Sequence, residues 1–484
     1  MDKINLISQS TSLIIVITVS LIFTFVGLIY SKKYQSLNNY LTANRNVGVF
    51  FLTTSLVASA LGAWILFGPA SAATWGGLGA VIGYSLGTAF PMLFLIFLGR
   101  KIRSEFPKGT TLIEFLRKKF KKNLFKLILL MSIFYMFIFL CAEVTAIAML
   151  INYISGTSFW ITALIILTGT VTYTLYGGLR VSIFTDTIQL LIILAILLIS
   201  TFYLNSFLGE QFSLNFVNEK NPQLLSWSYI PNYTSGLTFF IAVAATNLFH
   251  QGNWQRVYAA KSDRVLKKSL IISFLIIIPI VLFMGFTGLI AVSINPKITP
   301  DLGFFFLLLM DQSIFLSIII IILGLSLTIS TVDTLVNAIS SLIIVDAKAT
   351  FKSKSKIDYF KLSKYFIIIL SIISFFIASK GFSVLYLFLL ADLFCCAFVI
   401  TVFYSFYNKQ LNEKTAIISI MFGLIGGFLL FPTPDFSSSL LVGIMFSVEI
   451  FPLFVSQSLL FLSFLFATLG PVIVIITHDS FKGR

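Results

Sequence analysis

Charged residues are scarce in this sequence, and their scarcity excludes an ordinary soluble domain. Only 11% of the 484 residues are charged, whereas 58% are hydrophobic. A typical soluble domain has about 25% charged residues. Short strands of alternating polarity are also lacking, which excludes a membrane β-barrel. The composition predicts an all-α polytopic membrane protein.

Cysteine is rare too, and the chemistry it supports is missing. The three cysteines, Cys141, Cys395 and Cys396, lie in apolar segments, where a free thiol behaves as a small hydrophobe. They form neither a spaced metal motif nor a disulfide framework. The sequence shows no nucleophile paired with a base and no phosphate-binding loop. We therefore expect that the protein is not an enzyme.

Long apolar runs are abundant, and each is long enough to cross a hydrocarbon core about 30 Å thick as a helix. No basic region or cleavage site precedes the first run, so we expect it to be a true span rather than a signal peptide. We predict one membrane domain over 1–484 with about thirteen spans, at 11–30, 47–69, 76–99, 123–152, 158–176, 181–205, 234–255, 268–293, 313–345, 363–379, 382–407, 414–431 and 455–477.

The basic residues are distributed unevenly between the two sides of these spans. With the N-terminus outside, only four of the 33 lysines and arginines face outward: Lys3, Lys220, Lys297 and Lys380. Basic residues collect on the cytoplasmic side of membrane proteins, so we predict an outer N-terminus and a cytoplasmic C-terminus in the plasma (cell inner) membrane. The net charge of +15 lies in short loops and predicts contact with the lipid bilayer rather than nucleic acid. The sequence predicts no particular oligomeric state.

The second span is rich in residues that interrupt a helix. It reads SLVASALGAWILFGPASAATWGGLG, from Ser55 to Gly79. Irregular backbone is tolerated at membrane depth only where it is buried in protein or lines a cavity, and its freed carbonyls can bind a cation. Small residues also allow close helix packing, which is the simpler explanation. A broken helix beside a second polar helix is nevertheless typical of secondary transporters.

That second polar helix lies in the ninth span, where LTISTVDTLVNAISS runs from Leu327 to Ser341. At helical spacing its polar residues follow one stripe, which we expect to face protein rather than lipid. A seam of hydrogen bonds explains the hydroxyls but not Asp333, because a mid-membrane carboxylate costs roughly 2.5–3.5 kcal/mol. No Lys or Arg lies in a neighbouring apolar core, so we expect a soluble cation as counter-charge, with protonation of Asp333 as the alternative. A second acid, Asp186, lies at the inner end of the sixth span, where it is either functional or a helix-initiating residue.

Four ordered motifs give the chain its resemblance to a known family. They are ASAL with the following GP (Ala58 to Pro69), TYTLYGGLRVSIFTDTIQ (Thr172 to Gln189), NWQRVYAAK (Asn253 to Lys261) and ISTVDT (Ile329 to Thr334). Over most of its length the chain resembles the sodium/solute symporter family, which includes proline permease and the sodium/glucose transporters. The resemblance implies a LeuT-like fold of two inverted five-helix repeats, at 47–205 and 234–407, with an extra helix at 11–30 and two helices at 414–477.

The resemblance also implies ion sites. The family's common sodium site corresponds to the carbonyls of Ala58, Leu61 and Leu327 with the hydroxyls of Ser330 and Thr331. A second sodium site, present in some members, corresponds to Asp186, Ser330, Asp333 and Thr334. Ala60 stands where proline permease has an aspartate, which argues against proline as the solute.

Other polar residues lie in spans with which the family lines its solute cavity. We expect Glu143 and Asp392 to favour an amine-bearing solute, while His250, Gln251 and Asn253 form hydrogen bonds to it. Trp64 lies close to these residues, and aromatic packing explains it more simply than a gating role in the cavity. For each acid, a local structural hydrogen bond is the alternative. The expected function is sodium-coupled import of a small organic solute, with an amino acid or another amine-bearing solute as the first candidate. Urea, a sugar or a monocarboxylate are alternative solutes, and a membrane sensor or a channel are alternative classes.

Overall fold

The computed structural model describes residues 5–32, 36–120, 122–350, 358–408, 411–434, 436, 438–439, 441 and 452–482. Over these residues the regular secondary structure is helical, with two isolated β-bridges, Val47 to Ala260 and Pro432 to Ser439. This confirms the predicted all-α class. Lys3, which entered the prediction of orientation, lies outside the described residues.

Nineteen α-helices occur in the described residues, and ten helical stretches among them are long and apolar enough to cross a membrane. The helices are α1 Gln9–Ser31, α2 Leu37–Thr42, α3 Val49–Ala60, α4 Trp64–Glu105, α5 Leu112–Lys119, α6 Lys122–Ser155, α7 Phe159–Leu208, α8 Leu214–Lys220, α9 Ile230–Phe249, α10 Gln251–Ala259, α11 Asp263–Ile294, α12 Gly303–Leu308, α13 Ile314–Ser341, α14 Lys348–Thr350, α15 Tyr359–Ala378, α16 Val384–Tyr404, α17 Glu413–Leu430, α18 Leu453–Gln457 and α19 Leu459–Lys482.

Helix α4 is two helical segments joined at Gly77, whose φ of 61° is left-handed. The rings of Trp64 and Tyr84, on either side of this glycine, stack with centroids 5.7 Å apart. In one straight helix these residues would be roughly 30 Å apart. The chain therefore reverses direction at Gly77, and α4 supplies two segments of the bundle.

Helix α7 reverses in the same way at Gly178, where φ is 60°. Tyr173 and Ser182 flank this glycine, and their hydroxyls contact the same carboxylate, that of Asp333, at 2.8 and 2.6 Å. A straight helix would place the two residues roughly 14 Å apart. With these two reversals, each of the thirteen predicted spans has a helical counterpart in the described residues.

Two of the predicted spans, the second and the seventh, each consist of two helices separated by a short non-helical break. The second predicted span is α3 followed by the start of α4, with the interruption at 61–63. The seventh is α9 followed by α10, with the interruption at His250, whose ψ of 114° is not helical. Each predicted repeat thus begins with a broken helix. The repeat boundaries themselves stay a prediction.

Glycines of the second α4 segment allow it to pack closely on α9. A Cβ at Gly79 would lie 1.8 Å from the Asn232 carbonyl oxygen, and one at Gly83 would lie 2.1 Å from the Gly236 carbonyl oxygen. Helix backbones approach this closely only where small residues recur every fourth position. This packing places the inner face of α4, including Tyr84, beside α9.

We expect Gly178→Ala to destabilise the protein more than Gly209→Ala does. Both glycines have a left-handed φ, 60° and 54°, so each substitution introduces backbone strain of roughly 1–3 kcal/mol. A Cβ at 178 would also lie 2.6 Å from the Tyr40 Cα, whereas a Cβ at 209 meets nothing within 4 Å. Thermal unfolding of the purified variants measures the difference. Equal melting temperatures would contradict a close packing role for Gly178.

Candidate functional site

The break between α3 and α4 is held by a buried carboxylate. Glu143 on α6 accepts a hydrogen bond through Oε2 from the Ala63 backbone N–H at 2.8 Å. Its other oxygen, Oε1, has no hydrogen-bond partner in the described residues and would lie 2.1 Å from a Cβ at Gly62. Glu143 therefore contacts the interrupted backbone, and a glycine is required there because the carboxylate approaches so closely.

The predicted sodium ligands occupy the break and the polar stripe facing it. Ala58 and Leu61 are fully buried where α3 ends, and Leu327 is fully buried on α13. Thr331 donates to the Leu327 carbonyl at 3.2 Å and lines a cavity together with Ala60. The structure thus brings the end of α3 and the polar stripe of α13 to one place, and sodium binding there stays a prediction.

A buried guanidinium lies beside the predicted second ion site. Arg256 of α10 is fully buried and forms an ion pair with the fully buried Asp186, with Nη2 2.8 Å from Oδ2. The same Nη2 donates to the Thr334 hydroxyl at 2.9 Å, and Nε donates to the Ser55 hydroxyl at 2.7 Å. Ser55 and Ser330 in turn donate to Asp186 at 2.5 and 2.6 Å. The carboxylate therefore accepts three hydrogen bonds from protein groups, two at Oδ2 and one at Oδ1.

This ion pair corrects one expectation from the sequence. We expected that no Lys or Arg lies in a neighbouring apolar core and that a soluble cation is the counter-charge of Asp333. Arg256 does lie in this core, where it pairs with Asp186, because the break at His250 turns α10 so that its arginine points inward. A buried pair of this kind is stable only when its remaining hydrogen bonds are satisfied, as they are here. A soluble counter-charge for Asp333 stays a prediction.

Asp333 is held by hydroxyls from both arms of α7. Its carboxylate accepts from Ser182 at 2.6 Å, from Tyr173 at 2.8 Å and from Thr185 at 3.2 Å. The hydroxyl of Thr334 is farther away, at 3.5 Å. Burial of a charge is costly unless hydrogen bonds compensate it, and this set of donors supplies that compensation.

A small cavity lies between the polar stripe of α13 and the broken helix formed by α9 and α10. It has a volume of about 40 Å³ and is lined by Ser59, Ala60, Trp64, Tyr84, Phe139, Val243, Thr246, Asn247, His250, Thr331, Phe388 and Asp392. Asp392 accepts a hydrogen bond through Oδ1 from Thr246 at 2.7 Å. No described Lys or Arg forms an ion pair with Asp392. We call this space the central cavity.

Comparison with known proteins identifies the family of this bundle. The model of the sodium:solute symporter family matches residues 40–423, well over half of the chain. The chain belongs to this family. It is accordingly a multi-pass membrane transport protein with a LeuT-like fold, and not an enzyme.

Several proteins of known function or known structure are similar to this symporter-family chain. The spermidine transporter DUR31 of Candida albicans is 27% identical over 82% of this chain and 75% of its own length. The mouse sodium/glucose cotransporter 1 is 28% identical over 42% of this chain and 30% of its own. A Na⁺-coupled sialic acid symporter, solved in a substrate-bound outward-open state, covers 96% of both chains with a TM-score of 0.75 and 17% identity. The likeness to the sialic acid symporter thus extends over nearly the whole chain.

Three of the six predicted solute-binding residues of this symporter-family protein line the central cavity: Trp64, His250 and Asp392. Glu143, Gln251 and Asn253 do not. The Gln251 amide connects three segments at one end of the bundle, because Nε2 donates to the Thr110 carbonyl and the Ser341 hydroxyl, both at 3.2 Å. Asn253 donates to the Asn247 carbonyl at 2.8 Å and thereby braces the helix break.

Sequence reasoning missed four polar residues of this region: Tyr84, Thr246, Asn247 and Arg256. Thr246 and Asn247 lie four and three residues before His250 in AATNLFHQ, about one helical turn from it, so their spacing from the polar His250 was the signal that points to them. Arg256 lies in the quoted motif NWQRVYAAK. Arg256 could have been predicted to be a buried charge by the same argument as Asp333, since both side chains face the core.

Proposed function

We propose that this protein is a sodium-coupled secondary active symporter that imports an amine-bearing organic solute across the plasma (cell inner) membrane. The N-terminus would lie outside and the C-terminus in the cytoplasm. The observation that carries the proposal is that Thr331 and Asp392 line the same cavity. Thr331 belongs to the polar stripe of α13, and Asp392 forms no ion pair with a described Lys or Arg. A cation site and an anionic anchor for a solute therefore adjoin one another. The spermidine transporter among the relatives supports an amine as solute.

The walls of the central cavity suit an ammonium group. Four aromatic side chains, Trp64, Tyr84, Phe139 and Phe388, line this cavity together with Asp392. A cation over an aromatic face gains roughly 0.5–2 kcal/mol, most where water is excluded. Thr246, Asn247 and His250 add hydrogen-bonding groups on the α9 side of the cavity.

For the coupling ion we propose one sodium, bound by the carbonyls of Ala58, Leu61 and Leu327 with the hydroxyls of Ser330 and Thr331. The alternative second site at Asp186, Ser330, Asp333 and Thr334 already holds the positive charge of Arg256. A cation there would have to approach a guanidinium that donates to two of those four residues. The arrangement favours a single sodium site.

The membrane potential makes this coupling effective. Moving one positive charge inward is favoured by about 2.3 kcal/mol per 100 mV. One sodium with a monovalent ammonium solute moves two charges and gains about 4.6 kcal/mol, enough for more than thousandfold accumulation. Coupling then requires that sodium and solute prefer the same conformation, which their adjoining sites supply.

Uptake into proteoliposomes tests the proposal. With sodium outside and an inside-negative potential, we expect saturable, concentrative uptake of amines and amino acids, and little uptake of urea, sugars or monocarboxylates. Replacing sodium by potassium outside should abolish accumulation. A channel would let a cationic solute distribute with the membrane potential alone, whether sodium or potassium is outside, so accumulation that depends on the sodium gradient distinguishes a symporter. Uptake of a sugar in preference to every amine would contradict the assignment of Asp392.

We expect Thr331→Ala to raise the sodium concentration for half-maximal uptake about tenfold or more. A hydrogen bond or ligand contact to a charged group contributes about 1.5–3 kcal/mol, and the substitution removes one such oxygen. Thr331 is a cleaner test than Ser330, because Ser330 also donates to Asp186. Sodium titration of uptake at saturating solute measures the effect.

Two variants on the same helix control this experiment. Thr331→Ser keeps the hydroxyl and should retain nearly normal sodium dependence. Thr328→Val removes a buried hydroxyl that has no hydrogen-bond partner in the described residues. It should leave sodium dependence unchanged. An unaltered sodium titration in Thr331→Ala would remove this residue from the site.

A further inference from the structure

A ladder of aromatic rings leads outward from the central cavity. Trp64 stacks on Tyr84 with ring centroids 5.7 Å apart, and Tyr84 stacks on Phe239 at 4.3 Å. Phe239 in turn lies 5.9 Å from Trp75, near the reversal of α4 at Gly77. Trp64 and Tyr84 line the central cavity, whereas Trp75 lines a different one. The ladder therefore connects two cavities.

The second cavity is much the larger, with a volume of about 660 Å³. Elements that are distant in sequence form its wall: Ser71 and Trp75 of α4, Tyr229 at the start of α9, and Asp301 of the short 3-10 helix at Pro300–Leu302. We call it the outer cavity, since on the predicted orientation it lies toward the outside. Its volume is in the range of known small-molecule sites, whereas the central cavity is narrow in this conformation.

Asp301 is the acidic residue of the outer cavity, and it has no basic partner there. The Ser71 hydroxyl donates to its carboxylate, and no ion pair joins it to a described Lys or Arg. Burial raises the pKa of Asp301 above its ordinary value, and the hydrogen bond from Ser71 opposes that rise. A carboxylate partly withdrawn from water, without a counter-charge, is stabilised by a cation that enters the cavity.

The two unpartnered acids line the cavities at the two ends of the ladder. Tyr84 lines the central cavity with Asp392, and Trp75 lines the outer cavity with Asp301. The rings of the ladder between the two cavities are therefore aromatic and uncharged. A flexible methylene chain can pack along such rings, while a charged nitrogen at each end meets a carboxylate.

We propose that the outer cavity is a second cation subsite, in which Asp301 and Trp75 bind one ammonium group of a linear diamine or polyamine while Asp392 binds another. The inference rests on the proposed function, since it takes Asp392 as the anchor of an amine. It narrows the solute class from amines in general to those with two or more separated ammonium groups. The second contact is intramolecular once the first has formed, so a chain of suitable length gains affinity over a monoamine.

A series of linear α,ω-diamines of increasing chain length, each paired with the monoamine of the same length, tests this inference. In sodium-driven proteoliposomes, wild-type KM for the diamines should fall with length to a minimum at least tenfold below that of the matched monoamine. Asp301→Asn should raise the diamine KM at that optimum about tenfold more than the monoamine KM. Asn at this position keeps an acceptor for Ser71, so the loop retains its hydrogen bond.

Asp311→Asn is the matched control, because it removes the same charge from the exposed loop after α12, outside the outer cavity. It should leave the ratio of diamine to monoamine KM unchanged. If amines are transported but the wild type shows no length optimum, or Asp301→Asn shifts both KM values equally, the outer subsite is wrong and the proposed function stands. If no amine is taken up with sodium, the proposed function itself fails.

Discussion

Arg256→Gln is expected to destabilise the folded protein by roughly 3–5 kcal/mol, because it leaves Asp186 buried without its counter-charge. Both side chains are fully buried, and the guanidinium also donates to Ser55 and Thr334. The substitution would thus remove contacts from α10 to three other helices, α3, α7 and α13. Thermal unfolding of the purified protein in detergent measures it, with the retained fraction of monodisperse protein as a second readout.

The double variant Asp186→Asn/Arg256→Gln separates the charge from the packing. If the uncompensated carboxylate causes the loss, the double variant should be more stable than Arg256→Gln alone. An exposed pair provides the control: Lys220 and Glu219 are 2.9 Å apart on the surface, and Lys220→Gln should cost about 1 kcal/mol or less. A double variant as unstable as the sum of its single changes would show that Arg256 acts independently of Asp186.

The ion pair was the main feature that the sequence did not predict. Arg256 and Asp186 lie in different predicted repeats, and spacing along the chain carries no information about such a distant contact. The arginine also follows a short polar stretch, HQGNWQ, that hydropathy alone assigns to the end of a span. Only the break at His250 shows that this stretch continues into the core as α10.

The helical bundle was predictable because its cause is local. In a hydrocarbon environment each run of apolar residues must satisfy its backbone hydrogen bonds internally, so length and hydropathy suffice to place a span. The predicted break after 176 and the glycine pair Gly177 and Gly178 agree with the reversal of α7. The short 3-10 helix at Pro300–Leu302 was not predicted, since loops depend on tertiary contacts.

The candidate site was predictable where residue chemistry alone demanded an explanation. The stripe from Leu327 to Thr334 contains hydroxyls at helical spacing, and the structure places it against the end of α3. Glu143 attracted the same argument as Asp392, a mid-span acid without a basic partner. Only the three-dimensional position separates them, because Glu143 binds the Ala63 backbone while Asp392 lines the central cavity.

Asp392→Asn is expected to lower kcat/KM for amine uptake about thirtyfold or more. Losing one member of a buried charge pair costs about 2–5 kcal/mol, and each 1.36 kcal/mol is tenfold in rate. The amide keeps an acceptor for the Thr246 hydroxyl, which the carboxylate binds at 2.7 Å, so the local packing is retained. Sodium-driven uptake at equal protein abundance measures the change.

Two further variants assign the cause of that loss to charge. Asp392→Glu keeps the carboxylate and should retain more uptake than Asp392→Asn, although the longer side chain crowds a cavity of about 40 Å³. Thr246→Val removes the hydrogen bond and leaves the charge, so its effect should be smaller than that of Asp392→Asn. Because Asp392 is absent from the proposed sodium ligands, thermal stabilisation by sodium should persist in all three variants. Normal amine uptake by Asp392→Asn would mean that the aromatic walls hold the ammonium group without an anionic anchor, and the proposed role of Asp392 would then be wrong.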